Sequence, residues 1–177
     1  IWYSGLQQGP IDTEAPNGNA VFGVAFRAAG ARPWLGVDAD QVSDRVLPLA
    51  DLLGDTALAL RQRLLESPAL PARFALVEDW LARRLDPRRA PSPLLAWALA
   101  RIESSRGQVA VDSLARQAGV SRKHLAGLFR RQVGLGAKSL ARVHRFRAAV
   151  DLLAGRERVP WAELAQGCGY YDQSHLV

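Results

Sequence analysis

The chain of 177 residues, 49% of them hydrophobic, is long enough for one or two domains with real cores. It contains no run approaching the roughly 20 apolar residues of a membrane span, no charged-then-apolar signal segment, and a single cysteine, which excludes a disulfide framework and fits a reducing compartment. Its net charge of +6 arises beyond residue 100, because residues 1–100 hold ten Arg and eleven Asp or Glu, whereas residues 101–177 hold thirteen Lys or Arg and six Asp or Glu.

Residues 1–27 carry short strand patterns separated by Gly, Pro and an Asn17-Gly18 turn signal. Three short strands rarely form an independent core, so we expect a small β remnant of a larger domain. Beyond it the pattern becomes helical, at about 40–47 and 49–53, and then in two longer segments at 55–67 and 70–85. The inward face of the segment 55–67 is predicted to consist of Leu58, Leu60, Leu64 and Leu65. The inward face of the segment 70–85 is predicted to consist of Phe74, Val77, Trp80, Leu81 and Leu85. The second of these faces would pack in a bundle or in a homodimer.

Residues 86–93, DPRRAPSP, combine three prolines with two arginines and a serine, which is typical of a linker. We therefore expect a domain boundary in this segment, between a first region at 1–88 and a second at 89–177. A helix is predicted from Leu94 to Ser105 near the start of the second region, and Gly107 is expected to terminate it.

Residues 111–131, VDSLARQAGVSRKHLAGLFRR, predict a helix, a tight turn and a second helix. Asp112 or Ser113 is expected to cap the first helix, whereas Gly119 ends it in a left-handed conformation. Ser121 is placed to cap the second helix. The apolar positions expected to be buried are Val111, Leu114, Ala115, Ala118, Leu125, Leu128 and Phe129.

The opposite face of the second helix is expected to be basic, with two small residues in it: Arg122, Lys123, Ala126, Gly127, Arg130 and Arg131. A compact positive domain favours polyanions through phosphate contacts and counterion release. Membrane headgroups are a poorer match, because no helix pairs a lysine-rich face with a bulky aromatic one. The pattern therefore indicates a DNA-reading helix-turn-helix, and an ordinary helical hairpin with a solvated basic face is the alternative.

The pattern recurs about fifty residues later, which generic helical packing seldom produces. The matching positions are Leu164, Ala165, Cys168, Gly169 and Tyr170, and after one extra turn residue Asp172 takes the capping place of Ser121. Between the two copies an apolar stripe predicts one long helix from Ala137 to Ala154: Leu140, Val143, Phe146, Ala149, Val150 and Leu153. That helix would rise about 26 Å at roughly 1.5 Å per residue. Two recognition helices so separated would enter major-groove segments about one turn, roughly 34 Å, apart.

At these residues the chain resembles the AraC/XylS family of bacterial transcription regulators. The resemblance covers roughly 109–177 and is carried by SLARQAGVSRKHLAGLFRRQVG and ELAQGCGYYDQSHLV. Upstream, VFGVAFRAAGARPWLGVDADQVSDRVLPLADLLG is similar to the end of the sensor region in one branch of these regulators. The chain departs from the family pattern at Ala137, where proline is usual, and at Gly127, where arginine is frequent and would contact a base.

The predicted fold is therefore mainly α: two helix-turn-helix units at about 111–133 and 160–177, joined by a long helix and preceded by a small β remnant and linking helices. The resemblance implies a cytoplasmic, nucleoid-associated regulator whose partners are promoter or operator DNA, RNA polymerase, a small-molecule effector of the sensor part and a second copy of the chain, with no membrane partner. The chain ends within the second recognition helix, so we expect a polypeptide ending at Val177 to bind only one half-site, and weakly.

Among these residues we expect Lys123 to reach a guanine edge, and Arg130 or Lys138 to contact phosphate. In the second unit Gln173 is suited to a bidentate adenine contact and Ser174 to a phosphate contact. The full predicted DNA-binding set is Ser121, Arg122, Lys123, Ala126, Gly127, Arg130, Lys138, Asp172, Gln173, Ser174 and Val177.

No catalytic residue, metal site or cofactor is predicted. His124, His144 and His175 are isolated from one another in sequence, and none lies in an H-E-x-x-H motif or beside a cysteine at ligand spacing. No phosphate loop or nucleophile motif is present. Cys168 falls at a small buried position, so packing is its expected role. Two other classes stay open: the DNA-binding module of a larger DNA-repair or modification enzyme, and a helical protein-interaction adaptor.

Overall fold

A computed structural model of the chain describes residues 1–12, 14, 21–153 and 161–169. The chain divides into two compact units. The N-terminal unit comprises Ile1–Pro91 together with Arg130–Gly134, and the C-terminal unit comprises Ser92–Phe129 and Leu135–Val177. The described residues are mainly helical, as predicted, with one small sheet. Among them, none of the helices combines the length and the apolar character that crossing a bilayer requires.

The sheet of the N-terminal unit pairs β1 (Trp2–Ser4) with β2 (Val46–Pro48), antiparallel, with Tyr3 opposite Leu47. Of the strands predicted in residues 1–27, only β1 forms among the described residues. Its partner comes from a segment that the sequence pattern assigned in part to a helix at 40–47, which was wrong. A strand exists only where a second strand completes its hydrogen bonds, and this partner lies more than 40 residues away.

The described residues of the N-terminal unit form the α-helices α1 (Arg32–Leu35), α2 (Leu49–Leu53), α3 (Asp55–Glu66) and α4 (Leu70–Arg84). Their core is formed by Trp34, Leu35, Val42, Leu49 and Ala57. Part of the predicted inward faces is exposed: Leu58, Leu65, Phe74 and Leu85. A helix buries one stripe, and in α3 that stripe follows Ala57 and Leu60, which leaves Leu58 and Leu65 on another face.

The C-terminal unit begins with α5 (Pro93–Ser104). Ser92 caps this helix by accepting a hydrogen bond at Oγ from the Leu95 amide at 3.3 Å, with Pro93 in its first turn. The helices α6 (Val111–Gln117), α7 (Arg122–Val133), α8 (Ala137–Leu153) and α9 (Trp161–Gly167) follow. The last turn of α7, from Arg130, is assigned to the N-terminal unit. Leu95, Ala98 and Ile102 of α5 are fully buried, and α5 packs on α8.

The long helix α8 forms as predicted, but its buried face matches the predicted stripe only in part: Leu140 and Ala149 are buried and Leu153 is half-buried. Its buried residues are mostly alanines: Ala137, Leu140, Ala141, Ala148 and Ala149. The larger Val143, Phe146 and Val150 are exposed, Phe146 to 59%. The loop after α5 packs closely on this alanine face of α8, because a Cβ at Gly107 would overlap the Ala141 carbonyl oxygen. Only small side chains allow the backbones of a loop and a helix to approach this closely.

Candidate nucleic-acid interface

Helices α6 and α7 are joined by the tight turn 118–121. Gly119 adopts a left-handed conformation, with φ +63°, which confirms the prediction for the end of α6. The turn is closed by backbone hydrogen bonds from the Gly119 amide to the Arg116 carbonyl oxygen at 3.1 Å and from the Val120 amide to the Ala115 carbonyl oxygen at 3.1 Å. An added Cβ at Gly119 would meet no atom within 4 Å, so the backbone conformation alone explains the glycine.

The start of α7 is capped as predicted. Ser121 Oγ accepts a hydrogen bond from the His124 amide at 3.1 Å, which satisfies one of the amides that lack a partner within the helix. The predicted cap of α6 was wrong, because that helix begins after Ala110 without a side-chain cap. Ser113 Oγ instead accepts a hydrogen bond from Gln117 Nε2 at 2.7 Å.

Asp112 makes a different contact from the one predicted. Its carboxylate pairs with Arg122 Nη2 at 2.9 Å and so links the first turn of α6 to the first residue of α7. The two side chains are 54% and 77% exposed, and an ion pair this exposed contributes at most about 1 kcal/mol to stability. The pair partly neutralises Arg122, one of the predicted DNA-binding residues.

The inner face of α7 anchors it in the C-terminal unit. Leu125, Leu128 and Phe129 are all buried as predicted, and Phe129 is fully enclosed. Leu114 and Ala115 of α6 are buried as well. Because these apolar side chains share one side of the two helices, the orientation of α7 is set by packing rather than by its exposed residues.

The outer face of α7 carries most of the predicted interface of the first unit. Ser121, Arg122, Lys123, Ala126 and Arg130 are exposed, and Gly127 is half-buried. Lys123, Gly127 and Arg130 follow one another at spacings of four and three, so they lie on the same side of the helix. Arg130 Nε lies 3.8 Å from the Asp40 carboxylate within the N-terminal unit. Lys138 is also exposed but stands on a different helix, in the first turn of α8.

The second predicted unit is described only through residue 169. Helix α9 and its turn correspond to α6 and its turn: Ala165 and Cys168 are buried, and Gly169 has φ +75°. Burial raises the pKa of the Cys168 thiol, which keeps it protonated and agrees with a packing role. The predicted contacts Asp172, Gln173, Ser174 and Val177 lie outside the described residues.

Two side chains near α9 were missed by the sequence reasoning. Gln108 and Arg145 donate hydrogen bonds to the carbonyl oxygens of Gly167 and Gly169. Nothing in the local pattern marks either residue, since the contacts join positions that are 59 and 24 residues apart. In the part of the chain that the structure describes, no cluster of three or more His, Cys, Asp or Glu side chains could hold a metal ion.

Comparison with known proteins gives one match. A family model described as a helix-turn-helix domain matches residues 114–177, which contain most of α6, all of α7, α8 and α9, and the predicted second recognition helix. No match was found among curated proteins or among solved structures.

Proposed function

We propose that residues 114–177 are a DNA-binding domain of the AraC/XylS type and that the protein regulates transcription by reading two adjacent major-groove segments with two recognition helices. The match of a helix-turn-helix family model to these residues supports the proposal. The single observation that carries the proposal is the geometry of α7. An enclosed apolar face holds this helix while Lys123, Gly127 and Arg130 line its outer side. A helix so presented fits the width of the major groove.

We propose that Lys123 contacts base edges and so distinguishes one DNA sequence from another. It stands in the first turn of α7, exposed, and the amino-terminal end of a recognition helix is the part that reaches base edges. Lys138, exposed at the start of α8, is assigned to phosphate. The small Ala126 and Gly127 leave room for the groove wall beside them, in the place where an arginine is frequent in the family.

The test compares two lysine variants on a selected operator and on random duplex. Lys123→Ala should cost roughly 1–3 kcal/mol on the operator and little on random DNA, because a base contact distinguishes sequences. Lys138→Ala should weaken binding to both alike and reduce the slope of log K against log salt by about one, because a phosphate contact releases counterions. The two variants are matched controls, since each removes one exposed ammonium group from the same domain.

Equal losses on operator and random duplex for Lys123→Ala would remove it from base readout. Binding to duplex that did not depend on salt would favour the alternative of an adaptor with a solvated basic face. An additional DNA-repair or modification activity of the intact protein would favour the enzyme alternative.

For the rest of the chain we propose residues 1–88 as the end of a sensor region and 89–177 as the DNA-binding domain. A cavity of about 590 Å³ in the N-terminal unit supports a small-molecule effector. Phe26 and Trp80 lie against Trp34 in its wall, with ring centroids 5.4 and 5.1 Å from that of Trp34. The buried Trp34 Nε1 has no hydrogen-bond partner among the described residues.

These features suit a small apolar molecule with a hydrogen-bond acceptor. A compound from a thermal-shift screen that binds in this cavity should lose its effect in Trp34→Phe and keep it in Trp97→Phe, which alters a tryptophan of the other unit. We also propose RNA polymerase and a second copy of the chain as partners. The exposed Phe74 on α4 and the exposed Leu85 directly after it are consistent with a homodimer contact.

A further inference from the structure

The end of α9 is held by two side chains from other elements of the C-terminal unit. Gln108, in the loop between α5 and α6, donates a hydrogen bond from Nε2 to the Gly167 carbonyl oxygen at 3.0 Å. Arg145, in the middle of α8, donates from Nη1 to the Gly169 carbonyl oxygen at 3.2 Å. The last carbonyls of a helix, including that of Gly167, lack partners within it. The bond from the Arg145 guanidinium to Gly169, in the turn after the helix, is charge-assisted.

Gly169 allows this contact in two ways. Its φ of +75° lies in the left-handed region, which residues other than glycine rarely adopt. A Cβ at this position would also lie 3.0 Å from Gln108 Cγ and 3.3 Å from Gln108 Cδ. The Gln108 side chain therefore packs directly on the turn that leads from α9 into the predicted second recognition helix.

The loop that carries Gln108 is itself fixed to α8. A Cβ at Gly107 would overlap the Ala141 carbonyl oxygen and lie 2.9 Å from the Arg145 amide nitrogen. The loop is closed by the Val109 amide, which donates to Ser105 Oγ at 3.2 Å. Helix α6 begins three residues after Gln108, at Val111. One short segment thus leads into the first helix-turn-helix, contacts α8 and holds the end of α9.

We propose that Gln108 and Arg145 are positioning residues that set the separation and angle of the two DNA-reading helices. The proposal rests on the proposed reading of two half-sites. Moving one half-site by a base pair shifts it by about 3.4 Å along the duplex and rotates it by about 34° around the axis. A protein whose readers are rigidly connected cannot follow that change, whereas one with a loosened connection can.

The experiment measures the affinity of the intact protein for a series of operators. A selected operator is prepared with its natural half-site spacing and with one base pair inserted or deleted between the half-sites, together with a duplex that carries only the first half-site. The unaltered protein should lose about tenfold in affinity at either changed spacing, comparable with a mismatched base pair. The double variant Gln108→Ala and Arg145→Met should lose no more than about threefold, while its affinity for the single half-site is unchanged.

Arg142→Met is the matched control. Arg142 is an exposed arginine of the same helix, three residues before Arg145, so its loss removes the same charge but leaves the bond from Arg145 to Gly169 in place. It should lower affinity for all spacings by a similar factor and keep the tenfold preference for the natural one. Arg145→Lys keeps the cation and should recover part of the spacing preference that Arg145→Met loses.

Three results would overturn the inference. If the double variant kept the full tenfold preference for the natural spacing, the two residues would not set the separation and angle of the two DNA-reading helices. A double variant that loses affinity for the single half-site as strongly as for every operator, with a lowered melting temperature, would assign them to folding alone. In both cases the proposed function stands. If the unaltered protein binds two half-sites no better than one, the two-reader function fails and this inference fails with it.

Discussion

The first and second helix-turn units share one residue pattern but differ in what holds them. In the first, the contacts are local: Ser121 caps α7, and Asp112 pairs with Arg122. In the second, the turn after α9 is held by Gln108 and Arg145, which belong to a distant loop and to α8. The two turn glycines differ in the same way, because space around Gly119 is empty whereas Gln108 packs on Gly169. A repeated pattern therefore does not imply a repeated mechanical role.

The largest effect that tests this comparison is expected in the core of the first unit. Phe129→Ala should lower the free energy of unfolding by about 3–5 kcal/mol, because it removes a fully enclosed aromatic side chain and leaves a cavity. Phe146→Ala is the control, and should change it by no more than about 0.5 kcal/mol, because Phe146 is 59% exposed on α8. Denaturant titration of both variants measures the difference. Similar losses would mean that α8 buries the stripe that the sequence pattern predicted.

The turn glycines should give intermediate effects of unequal size. Placing a side chain in the left-handed region costs about 1–2 kcal/mol, so Gly119→Ala should lose that amount. Gly169→Ala should lose more, because its Cβ also approaches Gln108. Adding Gln108→Ala should recover stability in Gly169→Ala but not in Gly119→Ala. A double-mutant cycle of melting temperatures measures this coupling between residues 108 and 169. If residues 108 and 169 were not coupled, Gln108 would not stabilise the turn after α9, and the two turns would not differ in this respect.

A bulkier change at the first turn links stability to binding. Gly119→Val forces a β-branched residue into a positive φ, which should displace α7 and lower melting temperature and operator affinity together. Calorimetry and an affinity titration on the same preparation test this. If neither quantity changed, the left-handed turn would have no part in placing α7.

The smallest effects are expected at the surface contacts of the first unit. Ser121→Ala should cost about 1 kcal/mol, because it removes the hydrogen bond to the His124 amide. Asp112→Asn should cost less than Ser121→Ala, because the ion pair with Arg122 is well exposed. Thermal denaturation of the two variants ranks them. The reverse order would show that the ion pair, not the cap, sets the start of α7.

The first unit could be predicted from the sequence because its signals lie within about 20 residues. Gly119 and Ser121 punctuate the turn, and Leu125 and Phe129 mark the buried face of α7. The cap of α6 was not predictable in the same way. Asp112 was assigned to it because of its position, but the carboxylate pairs with Arg122, a choice that depends on how the two helices meet.

Local sequence is enough to specify the mainly helical fold, the glycine turn, the cap of α7 and the apolar face that leaves Lys123 outward. Each of these follows from propensity and periodicity within a single segment. Three features instead require the folded arrangement of distant segments: the partner of β1, the alanine face of α8, and the contacts of Gln108 and Arg145 with the end of α9. These depend on which distant backbones approach closely, and the close fit of Gly107 against Ala141 is a property of two segments together that neither carries alone.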